Sequence, residues 1–335
     1  MPDPSGVLIV AEVSENTTLP SITRELLGVG KKLATDLGEP LSALIVGSGL
    51  DGAAQEVAAH GADSVYVADD PQLKEFQSDA YTHVITEACK ELNPTILLMG
   101  KTDVGRDLAP RVAFRLGTGL AVDCLDVRIQ KESKTLVAER PVYGGNARAV
   151  VVCDQGRPQI ATIRPKVFPP AEKSASVSGA VSKLSVQVDP SIMKAKLLQR
   201  NTAAQTEGVR LEDASIVIGG GRGLGGPEPF KMLEELASLV KGAVGASRAV
   251  TDSGWVPYSY QIGLTGKTIT PDLYITVAIS GASQHMAGCS GAKNLVAINN
   301  DSNAPIFKEA QFGVVGDWKQ VLPSFIETVR ELVKS

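Results

Sequence analysis

Three features of the sequence predict two α/β domains, each built on a doubly wound, mostly parallel sheet. Short Val/Ile/Ala-rich runs alternate with helical stretches along most of the chain, the pattern of strands joined by helical crossovers. A length of 335 residues exceeds what one average domain holds, so two cores are expected. Aromatic residues are only 4% of the chain while glycine fills 33 positions, so the core must be aliphatic and the backbone must turn tightly in many places.

In the first half, strands are expected at 7–13, 41–46, 64–68 and 95–99, with helices at 22–37, 52–60, 73–92 and 104–116. Asn93-Pro94 should end the third helix, because a residue before proline is driven out of the helical region. Residues 121–168 are β-rich, with Gly144-Gly145 as a turn, and read as antiparallel strands appended to the first sheet. A Pro-Pro pair and a Ser/Ala/Gly-rich polar stretch follow, so the domains are expected at 1–190 and 213–335 with a linker over 191–212. The second series carries the runs SIVIGG, GAVGASRAV, LYITVAIS, NLVAINN and FGVVGD, with helices at 230–240 and 319–334.

Charge and cysteine usage narrow the function. Lys and Arg total 33 against 37 Asp and Glu, and no basic run occurs, which sets nucleic acid aside as a partner. Cys89, Cys124, Cys153 and Cys289 are scattered without any CxxC, and only His60, His83 and His285 accompany them. Neither a zinc site nor a disulfide framework fits that spacing, so reduced thiols and a cytoplasmic location are expected. The first residues lack a basic n-region and a long apolar h-region, and no apolar run approaches the length of a membrane span.

The strand SIVIGG runs into a glycine-rich turn, Gly219 to Gly226, before Pro227 and a helix. Gly221, Gly223 and Gly226 fit G-x-G-x-x-G, whose small residues let backbone amides approach a phosphate at a helix start. The plain alternative is a tight βα turn without a ligand. A standard NAD turn would also need an acidic residue about 20 positions on, at the end of the next strand. Ser247-Arg248 stand there instead, and Arg222 interrupts the glycines.

The stretch SRAVTDSGWVPYSYQIGLTGKTITPDLYITVAISGASQHMAGCSGAKNLVAINNDSNAPIF resembles the flavin-binding region of the electron transfer flavoprotein α subunit. GGGRGLGG and FGVVGDW fit the same family in order and spacing, so the resemblance covers the second domain, and the first is compatible in length and pattern. It implies that the second domain is an FAD-binding, Rossmann-like domain. Arg248 is implied to lie over the isoalloxazine face, with His285 approaching the O2 side and Ser247 and Gln261 nearby. Cations there would favour an anionic semiquinone. Ile262, Gly263, Leu264 and Thr265 would run along the flavin with the Thr265 hydroxyl at N5. Leu264 departs from the family, where Gln is usual, so one polar contact is missing. Ser280, Gly281, Ala282, Ser283 and Gln284 would meet the pyrophosphate, Asn299, Asp317 and Trp318 the adenosine end, and Arg222 joins the set. Plainer readings stand beside these: a surface guanidinium for Arg248, a core histidine for His285, a helix cap for Asp317.

No side-chain catalysis is expected: there is no G-x-S-x-G, and Cys289 beside His285 reads as packing in a Gly/Ala-rich helix. Chemistry belongs to the flavin. The first domain holds no phosphate turn of comparable strength, since Gly100-Lys101-Thr102 lacks the upstream glycine of a P-loop. The resemblance assigns it to contact with a β subunit, with Arg140, Tyr143 and Arg164 as contributors. The implied role is an electron carrier between flavin dehydrogenases, such as acyl-CoA dehydrogenases of fatty acid β-oxidation, and a membrane quinone oxidoreductase. Three alternatives remain open: the α subunit of a bifurcating, NADH-linked complex, an NAD-dependent dehydrogenase, and a structural partner that has lost its cofactor.

Overall fold

A computed structural model describes residues 5–334, apart from 15–18, 131, 146, 175–178, 186–187, 189, 196, 198 and 200–209. The chain divides into two compact units, residues 1–200 and 201–335. Most of the expected linker at 191–212 lies outside the described residues.

The first unit begins β1 (Val7–Ala11), α1 (Ser21–Leu37), β2 (Leu41–Gly47), α2 (Asp51–Ala59), β3 (Ser64–Asp69), α3 (Ser78–Leu92), β4 (Ile96–Gly100), α4 (Asp103–Leu116) and β5 (Leu120–Cys124). It continues with β6 (Asp126–Gln130), β7 (Thr135–Val142), β8 (Ala147–Val152), β9 (Gln159–Ile163) and β10 (Ala180–Lys183). Seven of these strands form a parallel sheet in the order β10-β3-β2-β1-β4-β9-β5. Alternate residues face opposite layers: Val7, Ile9 and Ala11 pack with α1, while Leu8 and Val10 pack with the α3 and α4 side. Burial on both faces is why these strands read as continuous apolar runs. α1 places Ile22, Leu26, Leu33 and Leu37 on one stripe and stops at Gly38, whose φ of 70° suits a left-handed C-cap. α4 starts where the Thr102 hydroxyl accepts the Gly105 amide at 3.0 Å.

The β-rich stretch departs from expectation. Its middle forms a separate antiparallel sheet, β6-β7-β8, around the predicted turn at 143–145, while β5 and β9 enter the main sheet in parallel. Burial separates the two kinds of strand. All five residues of β9 are buried, whereas in β8 exposed Arg148, Val150 and Val152 alternate with half-buried Ala149 and Val151.

The second unit contains β11 (Ile216–Gly220), α5 (Phe230–Leu239), β12 (Ala243–Ala246), α6 (Arg248–Asp252), β13 (Leu273–Val277), α7 (Ser283–Met286), β14 (Asn294–Asn299), β15 (Phe312–Val315) and α8 (Trp318–Lys334). Its sheet is parallel throughout, ordered β12-β11-β13-β14-β15. Leu233, Leu236, Leu322 and Ile326 of α5 and α8 cover one face, packing on Ile218, Ile275 and Val277. Tyr274, Val217 and Ala297 face the opposite core with Ile262, Ile306 and Cys289. The strand order reverses between β11 and β13, so a crevice is expected beyond their carboxyl ends.

Candidate functional site

Every predicted site residue follows the carboxyl end of a strand of the second sheet or terminates one, as Asn299 does. The glycine turn comes first. Gly221 donates its amide to the Val277 carbonyl at 2.9 Å, binding the loop after β11 to the end of β13. A Cβ on Gly221 would lie 1.9 Å from the Ala278 carbonyl oxygen, and one on Gly223 would lie 3.0 Å from the Ala278 side chain. Protein packing therefore accounts for Gly221 on its own, and Gly223 is closely fitted against Ala278. A short 3-10 turn at 222–224 follows the glycines, and α5 begins at Phe230, where the helix was expected. Gly225 and Gly226, in contrast, face open space.

A cleft of about 220 Å³ lies above this turn, lined by Gly223, Gly225, Asn299, Asn300, Asp317 and Trp318 among others. The buried Asn299 side chain donates to Ile279 O at 2.9 Å and accepts from the Asp301 amide at 2.9 Å, fastening the loops after β13 and β14 together. Asp317 accepts the Lys319 amide at 3.0 Å, and its carbonyl accepts from Gln320 and Val321, so it opens α8. Trp318 donates its indole N–H to Gly223 O at 3.2 Å, closing one wall. Arg222 is exposed beside the same turn.

A second group gathers around β12, β13 and α7. Arg248 is not at a strand end, as expected, but opens α6; its guanidinium is two-thirds exposed and pairs with Asp252 at 3.2 Å. Ser247 precedes it, donating its amide to Gly220 O. Gln261 is buried. Its amide nitrogen donates to Thr265 Oγ1 at 3.0 Å, and its oxygen accepts from Thr251 at 2.9 Å. Thr265 is exposed, and its carbonyl accepts a short bond from Tyr258. Gly263 adopts a φ of 146°, and the exposed Leu264 donates its amide to Gln284 O at 2.7 Å, locking this loop onto α7. Gly281, at φ 81°, packs where a Cβ would lie 2.4 Å from the Ile306 amide. Among the described residues, the amides of Gly281, Ala282, Ser283 and Gln284 donate to no backbone carbonyl, and Ser280, Ala282, Ser283 and Gln284 are exposed.

His285 does not present its ring as a cation. The ring is buried, with Nδ1 3.1 Å from Ile262 O and Nε2 2.9 Å from the Tyr274 hydroxyl. The carbonyl can only accept, so Nδ1 carries the hydrogen and Nε2 accepts from Tyr274. Burial, opposed by the bond to Ile262, pushes its pKa from 6.5 down to about 4, so the imidazole is neutral at pH 7. Cys289 reaches the His285 backbone oxygen at 3.5 Å rather than the ring, and burial pushes its thiol up to about 12, which removes a thiol–histidine dyad. Tyr274 and Thr251 are the partners that sequence reasoning missed. A lone tyrosine among the aliphatics of β13 was the available signal for the first; nothing marked the second.

Fold and site together define a class: an α/β protein that collects free amides, hydroxyls and a guanidinium at the carboxyl edge of a doubly wound sheet, where such sheets hold nucleotide cofactors. Residues 7–189 match the electron transfer flavoprotein domain, and residues 210–290 match the electron transfer flavoprotein FAD-binding domain. The chain is 42% identical over 336 residues to Protein FixB of Clostridium saccharobutylicum, covering 99% of this chain and 98% of that one. It is also 42% identical to the electron transfer flavoprotein subunit alpha of Megasphaera elsdenii (97% and 96% covered). Identity to the acryloyl-CoA reductase electron transfer subunit beta of Anaerotignum propionicum is 37% (92% and 91% covered). The chain belongs to the electron transfer flavoprotein α-subunit family, and FAD is the cofactor of its second domain. Among the described residues, no helix is long and apolar enough to cross a membrane, and no group of three or more His, Cys, Asp or Glu could hold a metal ion.

Proposed function

We propose that this chain is the FAD-carrying subunit of a heterodimer with a β subunit, taking electrons from flavin dehydrogenases such as acyl-CoA dehydrogenases and handing them to a quinone oxidoreductase. The observation that carries this reading is the match of residues 7–189 and 210–290, one in each unit, to electron transfer flavoprotein domains. The name of the Anaerotignum relative ties that protein to electron transfer in acyl-CoA chemistry.

The donor set fits FAD. The amides of 281–284 suit the pyrophosphate, the exposed Ser283 and Gln284 the ribityl chain, and the cleft beside Trp318 the adenosine end. Arg248 supplies positive charge where the isoalloxazine gains negative charge on reduction, and its exposure leaves it free to turn from Asp252 toward the ring. Thr265 offers a hydroxyl at N5. Gln261 acts through Thr265: its amide donates to Thr265 Oγ1, which would leave the threonine hydrogen available to a bound cofactor. His285 orients the loop by holding Ile262, and of the two residues expected to bring positive charge to the ring it leaves Arg248. FAD itself supplies the electron storage; the chain binds, orients and tunes it.

The first unit is proposed to contact the β subunit, but Arg140, Tyr143 and Arg164 do not act as one patch. Tyr143 is exposed, whereas Arg164 is nearly buried in a bidentate pair with Asp123. An anaerobic reductive titration of the copurified heterodimer, followed by visible absorbance, tests the proposal. One FAD per heterodimer, reduced in one-electron steps, supports it. Two FADs reduced by NADH would make the complex bifurcating, and a colourless complex that takes up no FAD would overturn the carrier assignment.

A further inference from the structure

A second cleft, of about 310 Å³, opens in the first unit alongside β5 and near the carboxyl ends of β4 and β9. Its floor is apolar, formed by Ala109 and Pro110 of α4 with Leu120 and Val122 of β5. Its polar lining is cationic: Lys101 follows β4, Arg106 lies in the first turn of α4, and Arg140 reaches in from β7. Thr162 of β9 completes the wall.

Asp123 is the one carboxylate among the lining residues, and its capacity is spent. Arg164 grips both of its oxygens, at 2.8 and 2.7 Å, and Lys101 adds a contact at 3.1 Å. The backbone is held to match: Asp123 sits at a φ of 60°, unusual for an aspartate, and its amide donates to Thr162 Oγ1 at 2.9 Å. Burial raises the Asp123 carboxyl, but the bonds and charge of Arg164 and Lys101 outweigh it and leave it below the ordinary value. Lys101 is lowered too, but there burial prevails, outweighing what Asp123 restores. One carboxylate thus serves two cations and cannot serve a third.

That third is Arg140. Among the described residues it makes no ion pair, and its Nε is buried with no hydrogen-bond partner. A buried guanidinium N–H without an acceptor costs free energy comparable to a lost charged hydrogen bond. Arg106 is mostly exposed, with Asp103 at 3.8 Å on its outer side. The cleft therefore combines an excess of cations, a donor lacking its acceptor, and an apolar floor.

We propose that this cleft binds a small organic anion, a phosphate monoester in chemical class, with its anionic group between Arg140, Lys101 and Arg106 and its apolar body against Pro110 and Leu120. A planar guanidinium with unsatisfied N–H groups suits the oxygens of a phosphoryl group. All of its lining residues belong to the first unit.

Phenyl phosphate is the probe, titrated calorimetrically into the intact protein with its cofactor and copurified partner, with inorganic phosphate and phenol as comparisons. The expected result is one phenyl phosphate per chain, tighter than inorganic phosphate, with no heat from phenol and weaker binding at high salt. Arg140→Met should weaken it at least tenfold and Arg106→Gln severalfold, with the flavin spectrum unchanged. Arg140→Lys, which keeps the charge, should bind between wild type and Arg140→Met and covers the case in which the methionine variant misfolds. Absence of binding, or equal binding by wild type and Arg140→Met, overturns the proposal. Binding that emerges only after the partner is removed also overturns it, because the cleft then accommodates an acidic group of that partner.

Discussion

Acidification should loosen the second unit through His285. The folded state holds this imidazole neutral, its Nδ1 hydrogen on Ile262 and its Nε2 receiving the Tyr274 hydroxyl, with a pKa near 4 against 6.5 when exposed. Between those values the unfolded chain binds the proton and the folded chain does not. The stability contributed by the neutral ring is therefore complete above pH 6.5, falls as pH drops toward 4, and changes no further below. A displacement of that size corresponds to about 3 kcal/mol. Glu12 in the first unit works in the opposite direction. Burial raises it from 4.5 to about 7, so the stability associated with its protonated form is present below 4.5 and is lost as pH rises through 7. A whole-chain measurement would mix the two. Trp255 and Trp318 are the only tryptophans in the sequence and both belong to the second unit, so their fluorescence isolates it. Guanidinium unfolding of the cofactor-free chain, followed by that fluorescence from pH 7 to 4, should be compared with His285→Asn, whose amide can still donate to Ile262 but does not titrate. The stability advantage of wild type over the variant should shrink by about 3 kcal/mol across the range. An advantage that stays constant with pH would show that the ring is not held neutral by burial, and the reasoning fails.

Gly221→Ala should prevent the second unit from folding, at a cost of roughly 3 kcal/mol or more, because its Cβ meets a backbone oxygen at 1.9 Å; Gly226→Ala, in open space, should change the unfolding free energy by less than about 0.5 kcal/mol, as denaturant titrations would show. Tyr274→Phe should cost about 1 kcal/mol by leaving His285 Nε2 without a donor, while retaining the acid-dependent loss described above, as the same fluorescence titrations would show. Arg248→Gln should leave the unfolding midpoint almost unchanged, because its exposed pair with Asp252 stabilises little, yet lower the FAD reduction potential by on the order of tens of millivolts. Spectroelectrochemistry that finds the same potential in both proteins would remove Arg248 from the proposed site.

Much of the architecture was legible because parallel sheets covered on both faces demand continuous apolar strands, and helices between them show their stripe. Runs such as Leu41–Gly47 and Ile96–Gly100 therefore lie within a residue of where they were expected. Fragments 247–248, 261–265 and 280–285 were visible because glycines and small polar residues cluster after apolar runs. Their roles were less visible. Gly221 and Gly223 look like phosphate glycines in sequence, yet their missing side chains make room for Ala278, which is more than 50 positions away. Gln261, expected near the flavin, is buried and donates to Thr265, a contact that spacing did not show.

The sequence by itself determined the two α/β series, the aliphatic cores and the family, because alternation, turn chemistry and motif order are local properties. Only the tertiary structure decided which way functional side chains face. His285 turns inward because Tyr274 from β13 and the carbonyl of Ile262 meet its ring from both sides. Asp123, Lys101, Arg140 and Arg164 converge because β9 inserts between β4 and β5 in the sheet while β6, β7 and β8 leave it. Neither outcome can be read from spacing, since strand order and register bring together groups that the chain keeps tens of residues apart.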